Sequence, residues 1–133
     1  MPASFAAFLV VGVGGAAGAI ARYALTVATL RWSASIPAGT FASNLLGCLL
    51  MGGLVALLPR FAWLGESDAV TDHYRLLFGV GFCGAFTTLS ALVLELNAML
   101  QRDEFLLAFA YLVTTLVGGF AAFWAGAALA RAM

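Results

Sequence analysis

The chain has 133 residues, 64% of them hydrophobic and only 9% charged, with a mean hydropathy of +1.06 and no lysine. A soluble domain carries about 25% charged residues, so a water-soluble fold is excluded; the composition is that of an integral membrane protein, and the length is that of one domain. Six arginines balance six acids, which leaves no basic surface for nucleic acid.

Crossing hydrocarbon takes about 20 apolar helical residues, and four stretches provide them, at about 5–29, 38–58, 76–100 and 105–130. The opening "MPASFAAFLVV" has no basic region, and its apolar run continues too long for a cleaved signal. It is read as the first span. Gly14 and Gly18 give this span a GxxxG stripe for close helix contact. Arg22 follows seventeen uncharged residues, Phe5 to Ala21. It has three readings: snorkelling to the interface, satisfying carbonyls at a neighbouring helix end, or adding positive potential to a vestibule.

After "RWSASIP", whose Pro37 suits a helix start, the second span opens "GTFASNLLGCLLMGG". Thr40, Asn44 and Cys48 fall four apart on one face. Asn44 needs a partner there, either as interhelical glue or as a pore lining. Cys48 and Cys83 have no C-x-x-C spacing and no nearby histidine, so they read as buried reduced thiols. The second loop, "PRFAWLGESDAVTDHYR", holds more of the charge than any other segment, five of the twelve charged residues, and the single, solvated His73.

The third span carries no charge from Leu76 to Leu94 and centres on "GVGFCGAFTTLS". Its G-x-G-x-x-G pattern would mark a dinucleotide turn only between a strand and a helix, a context this chain lacks. A helix interruption is the better reading. Each glycine weakens a helix by about 1 kcal/mol, and the hydroxyls of Thr87, Thr88 and Ser90 compete for backbone groups. At bilayer depth such backbone persists only inside protein or beside a watery cavity, where freed carbonyls meet a cation and freed N–H groups an anion. The alternative is a continuous kinked helix whose hydroxyls bond back to its carbonyls. Glu95 closes the uncharged run, guarding a vestibule or marking the water boundary.

In the fourth span Tyr111, Thr115 and Gly119 share a face, with O–H donors that suit an anion or ordinary interhelical bonding. Thr114, Gly118, Ala122 and Gly126 form a second stripe of small residues. Arg60, Arg75 and Arg131 lie on one side of the bundle against Arg31 and Arg102 on the other. Three against two is nearly no positive-inside bias, which makes insertion in both orientations, and an antiparallel homodimer, possible. There is no H-E-x-x-H, no G-x-S-x-G, no intramembrane carboxylate pair and no serine with a histidine at depth, so an enzyme is not expected.

Together and in order, "GVGGAAGAIARY" (12–23), "GTFASNLLG" (39–47) and "GFCGAFTTLS" (81–90) resemble the signatures of the small fluoride channels, the Fluc or CrcB family, and the resemblance runs through all four spans. It implies an all-α membrane protein of four transmembrane helices, the third broken mid-membrane, assembled as an antiparallel dual-topology homodimer in the plasma membrane. It also implies passive fluoride export along two pathways at the dimer interface, with a structural sodium ion on the twofold axis. The sodium would be held by backbone carbonyls of Gly84 and Thr87 from both copies. The ion pathway would comprise Asn44, Thr88, Leu89, Ser90, Leu92, Tyr111 and Thr115; Arg22 matches the first-helix arginine and Glu95 the acid after the third-helix motif.

The chain departs from the family's usual Thr-Thr-Phe-Ser-Thr-Phe at "TTLSAL". Two pathway phenylalanines become Leu89 and Leu92, a threonine becomes Ala91, and the third polar position of the track becomes Gly119. Phenylalanine offers an anion positive ring edges; leucine offers bulk. An accessory subunit of a paired channel is therefore a second reading. A small multidrug exporter would need an intramembrane carboxylate that the first span lacks.

Overall fold

Ser4 starts the first helix: its Oγ accepts the Ala7 N–H at 3.3 Å, an N-cap at the entry to an uninterrupted apolar run. The structure, a computed structural model, describes residues 4–33, 35–63 and 68–133. Its elements are α1 (Phe5–Thr29, continued by a 3-10 turn, Leu30–Trp32), α2 (Ala38–Trp63), α3 (Asp68–Tyr74), a π-helical segment (Arg75–Cys83), α4 (Gly84–Phe86), α5 (Leu89–Gln101) and α6 (Phe105–Ala132). Among the described residues four helical stretches are long and apolar enough to cross a bilayer: Phe5–Trp32, Ala38–Arg60, Ala69–Gln101 and Phe105–Ala132. The chain is an all-helical, multi-pass membrane protein.

Two helices outrun their expected ends. The third stretch begins at Ala69 rather than near residue 76, because residues 68–78 contain no glycine or proline to stop a helix, and polar Asp72 and His73 simply carry it beyond the apolar run. α2 continues through Pro59 to Trp63; near a helix end, the missing N–H forfeits a single bond, to the Val55 carbonyl. Residues 64–67 of the expected second loop lie outside the described residues.

Two backbone crossings hold the bundle, and glycine makes both possible. A Cβ on Gly14 would lie 2.1 Å from the Leu77 carbonyl oxygen, and one on Gly18 would lie 2.2 Å from that of Phe82. The GxxxG stripe of α1 therefore seats the π segment. Likewise a Cβ on Gly52 would lie 1.9 Å from the Phe123 oxygen, and one on Gly126 would lie 2.0 Å from that of Leu49, where α2 crosses α6. Lipid gives helices no hydrophobic incentive to associate, so such close van der Waals contact supplies much of the adhesion. The expected stripe Thr114–Gly118–Ala122–Gly126 only partly serves: Thr114 is exposed and bonds back to the Ala110 carbonyl at 2.7 Å. The buried face of α6 runs instead through Ala108, Tyr111, Thr115 and Gly119, and the expected stripe joins it at Gly126.

Between α5 and α6, Leu92, Met99, Ala108 and Tyr111 form the buried cluster, with the Phe41 ring 6.3 Å from that of Tyr111. Phe8 and Ile20 on α1, and Phe109 and Phe120 on α6, face outward, as lipid-facing side chains do. The α5–α6 turn closes through the Glu104 N–H on the Met99 carbonyl at 3.0 Å, with Asp103 left-handed at φ 58°. Asp103→Gly removes the Cβ penalty there and is expected to stabilise by about 0.5–1 kcal/mol, read as a small rise in Tm in detergent.

Candidate functional site

Between α4 and α5, Thr87 (φ −83°, ψ 155°) and Thr88 (φ −151°, ψ 119°) are extended. The Thr87 N–H and Oγ1 still donate back to the Cys83 carbonyl, at 3.0 and 2.9 Å. Thr88 turns away. Its N–H donates to Asn44 Oδ1 at 2.7 Å, and Asn44 Nδ2 donates to the Thr88 carbonyl at 3.2 Å. The side chain of α2 thus takes both polar groups of one residue of the third span. Thr88 Oγ1 then accepts the Ala91 N–H at 3.2 Å as the N-cap of α5 and lies 3.2 Å from Ser90 Oγ.

These bonds release particular carbonyls. In a continuous α-helix the N–H groups of Thr88 and Ala91 would serve the carbonyls of Gly84 and Thr87. Here those donors are committed to Asn44 Oδ1 and Thr88 Oγ1, so both carbonyls lose their i+4 partners, as at any helix end. The Ala85 carbonyl between them accepts Arg22 Nε from α1 at 3.1 Å. Of the three readings of Arg22, the structure places it on a helix-end carbonyl. Gly47 makes the approach of α2 possible, since a Cβ there would lie 2.2 Å from Thr87 Cγ2.

A groove of about 500 Å³ runs along this pair, and Asn44, Thr87, Thr88, Leu89, Leu92 and Thr115 line it together with apolar residues of α6. The two leucines differ: Leu89 is 71% exposed, whereas Leu92 is 2% exposed within the cluster around Tyr111. Ser90 does not line the groove; its hydroxyl touches it only through the contact with Thr88 Oγ1. Tyr111 does not line it. Its ring is 1% exposed, its carbonyl accepts Thr115 Oγ1 at 2.7 Å, and its O–H donates to Glu95 Oε2 at 2.8 Å. The other oxygen of Glu95, Oε1, accepts Thr40 Oγ1 at 2.5 Å. Glu95 and Thr40 border a second cleft of about 570 Å³, with Ser33, Arg102 and Glu104 among its lining.

Sequence reasoning missed Thr40, Gly47 and Ala85 as members of this constellation. Thr40 shares the four-residue face of Asn44, a usable signal; its partner Glu95 is 55 residues away and carries no local sign of the pairing. Chemically, the site offers oxygen acceptors at Gly84 and Thr87 and hydroxyl and amide donors around Thr88. The first set suits a hard cation, the second an anion. Among the described residues no cluster of three His, Cys, Asp or Glu side chains could hold a metal.

The family model described as CrcB-like protein, Camphor Resistance (CrcB), matches residues 9–127. The chain is 47% identical over 126 residues to the fluoride-specific ion channel FluC of Phenylobacterium zucineum, covering 94% of this chain and 95% of that one. It is 40% identical over 131 residues to the protein of the same name from Prosthecochloris aestuarii, covering 98% of each. A third protein of that name, from Gloeobacter violaceus, is 40% identical over 127 residues, 94% of this chain and 96% of its own. With the matched region spanning both the Asn44–Thr88 clamp and the Glu95–Tyr111 pair, the chain belongs to the CrcB-like family.

Proposed function

We propose that the chain is a passive fluoride channel, in which two copies inserted antiparallel in the plasma membrane export fluoride along two narrow paths at their interface. The observation that carries this reading is the extended Thr87–Thr88 pair clamped by Asn44, in a chain whose relatives are named fluoride-specific ion channels. In this reading the pair is a break of the third helix at bilayer depth, tolerated because protein partners take the backbone groups that lipid would leave bare. Three arginines against two support insertion both ways up. The relatives' name is that of a channel, and the reading is of a channel rather than an enzyme.

The Gly84 and Thr87 carbonyls of both copies would hold a structural sodium ion. Their chemistry fits: the donors are neutral oxygens without helix partners, and a Cβ on Gly84 would meet nothing nearer than the Gly79 oxygen at 3.9 Å. A bound cation there lowers the electrostatic barrier to an anion where the effective dielectric is low. Along the path, the Asn44 amide and the hydroxyls of Thr88 and Ser90 present N–H and O–H hydrogens in place of fluoride's water, while Thr115 and Tyr111, whose O–H groups are given to the Tyr111 carbonyl and to Glu95, back the path rather than donate into it. A narrow path excludes larger halides. Leu89 and Leu92 form its apolar wall, Arg22 ties α1 to the Ala85 carbonyl and adds positive potential, and Glu95 stands at the mouth.

Efflux from fluoride-loaded liposomes tests the reading: purified protein should release fluoride well above background, and release at background level sinks it. Leu89→Phe adds a ring edge at an exposed position, an interaction of about 0.5–1.5 kcal/mol, and is expected to raise flux about 2- to 10-fold. Leu92→Phe instead overpacks a buried position at a cost of about 1–3 kcal/mol and is expected to lower Tm. The leucine pair also favours a second reading, an accessory subunit of a paired channel. It predicts no flux from the chain alone, with or without Leu89→Phe, and co-purification with a paralogue carrying both phenylalanines.

A further inference from the structure

Leu77 and Phe82 present their carbonyls to Gly14 and Gly18, which stand four apart on α1, although they are themselves five apart in the third span. In an α-helix residues five apart face about 140° away from each other, so both carbonyls could not meet one stripe. In a π-helix, with its i→i+5 hydrogen bonds, they fall one turn apart on the same side. The crossing is reciprocal, since a Cβ on Gly81 would lie 2.7 Å from the Val11 carbonyl oxygen and 3.0 Å from Gly14 Cα. The π register then ends on a functional residue: the Gly84 N–H donates five residues back to the Gly79 carbonyl, sharing its hydrogen with that of Gly81.

From this we infer that Gly14 and Gly18 are positioning residues, whose contact with the Leu77 and Phe82 carbonyls imposes the π register and thereby decides which way Gly84–Thr88 faces. A residue's change in register turns everything downstream by about 100° and shifts it by about 1.5 Å. Asn44 reads that orientation from α2, and Arg22, one turn beyond Gly18, reads it from α1. With every residue of the segment present, loss of the π register turns the carbonyls of Gly84 and Thr87 elsewhere. The role assigned to those carbonyls rests on the channel reading; the register claim does not.

The test is a spin-label distance between Ile20→Cys on α1 and Leu94→Cys on α5, both exposed, with Cys48 and Cys83 replaced by alanine and labelled chains diluted with unlabelled ones. Gly14→Ala and Gly18→Ala should each move the distance by about 5 Å or more, the swing of a side chain on a helix 10–12 Å wide, and cut fluoride efflux at least tenfold. Gly12→Ala, with nothing within 4 Å of its Cβ, should change neither. An unmoved distance in both alanine variants overturns the inference. Should neither variant be recovered folded, deletion of exposed Val80 brings Leu77 and Phe82 to four-residue spacing, which the same glycines accept from an α-helix; the wild-type distance is then expected, and a displaced one overturns the inference. Because the distance is read without fluoride or sodium, a wild-type protein silent in efflux would sink the channel reading alone.

Discussion

Asn44→Leu is expected to abolish fluoride efflux, lowering the rate at least about 100-fold, equivalent to about 2.7 kcal/mol. The substitution keeps the size of the side chain and removes both bonds to Thr88, the donation from Nδ2 at 3.2 Å and the acceptance at Oδ1 at 2.7 Å. Each polar group left bare in an apolar surround costs about 1–3 kcal/mol, so the pair loses about 2–6 kcal/mol of support. The Thr88 N–H then has one inexpensive option, which is to return to the Gly84 carbonyl and rebuild the helix through the extended pair. That rebuilding would also remove an oxygen from the proposed cation cage. Asn44→Asp separates the two roles: it preserves the acceptor for the Thr88 N–H, loses the donor and places an acidic group beside an anion path. It should retain more of the wild-type Tm than Asn44→Leu and conduct as poorly. Wild-type efflux from Asn44→Leu would show that the clamp is dispensable.

The four spans were legible because an uninterrupted apolar run of helical length has few alternatives in a chain this poor in charge. Their ends were less so. Hydropathy reports where hydrocarbon stops, whereas α3 continues past that point on Asp72 and His73 because nothing in its sequence terminates it. Gly14 and Gly18 announced a close crossing, yet the π geometry opposite them depends on where two carbonyls of another span fall, a tertiary fact without local signature. The hydroxyls of Thr87, Thr88 and Ser90 beside three glycines marked a place where a helix is weak. That Asn44 is the residue which takes the Thr88 backbone follows only from the docking of α2, made possible by Gly47. Leu89 and Leu92 looked equivalent as a replaced aromatic pair; three residues apart on α5, one points outward and the other into the cluster around Tyr111.

Removing both hydroxyls from Glu95, by Thr40→Val with Tyr111→Phe, is expected to cost far more than either substitution alone. Glu95 accepts Thr40 Oγ1 on one oxygen and Tyr111 O–H on the other, and hydrogen bonds to a charged group contribute about 1.5–3 kcal/mol each. With one donor gone, the other still holds the carboxylate, so each single variant should lose only about 1 kcal/mol in stability. With both gone, the half-buried carboxylate has no partner, a state that costs about 3–5 kcal/mol when a buried charge is stripped of its contacts. Because the two donors act on one acceptor, the losses should not add. A double-mutant cycle read by Tm in detergent should give a coupling of about 1 kcal/mol or more, and Glu95→Gln in the double variant should recover part of the loss by removing the unpaired charge. The same set separates packing from conduction, since the Tyr111 ring stays against Phe41 and Leu92 in every variant. A fall in efflux with recovered stability in the triple variant would assign the carboxylate to the ion path, whereas efflux and stability rising together would assign it to holding α2, α5 and α6 in place.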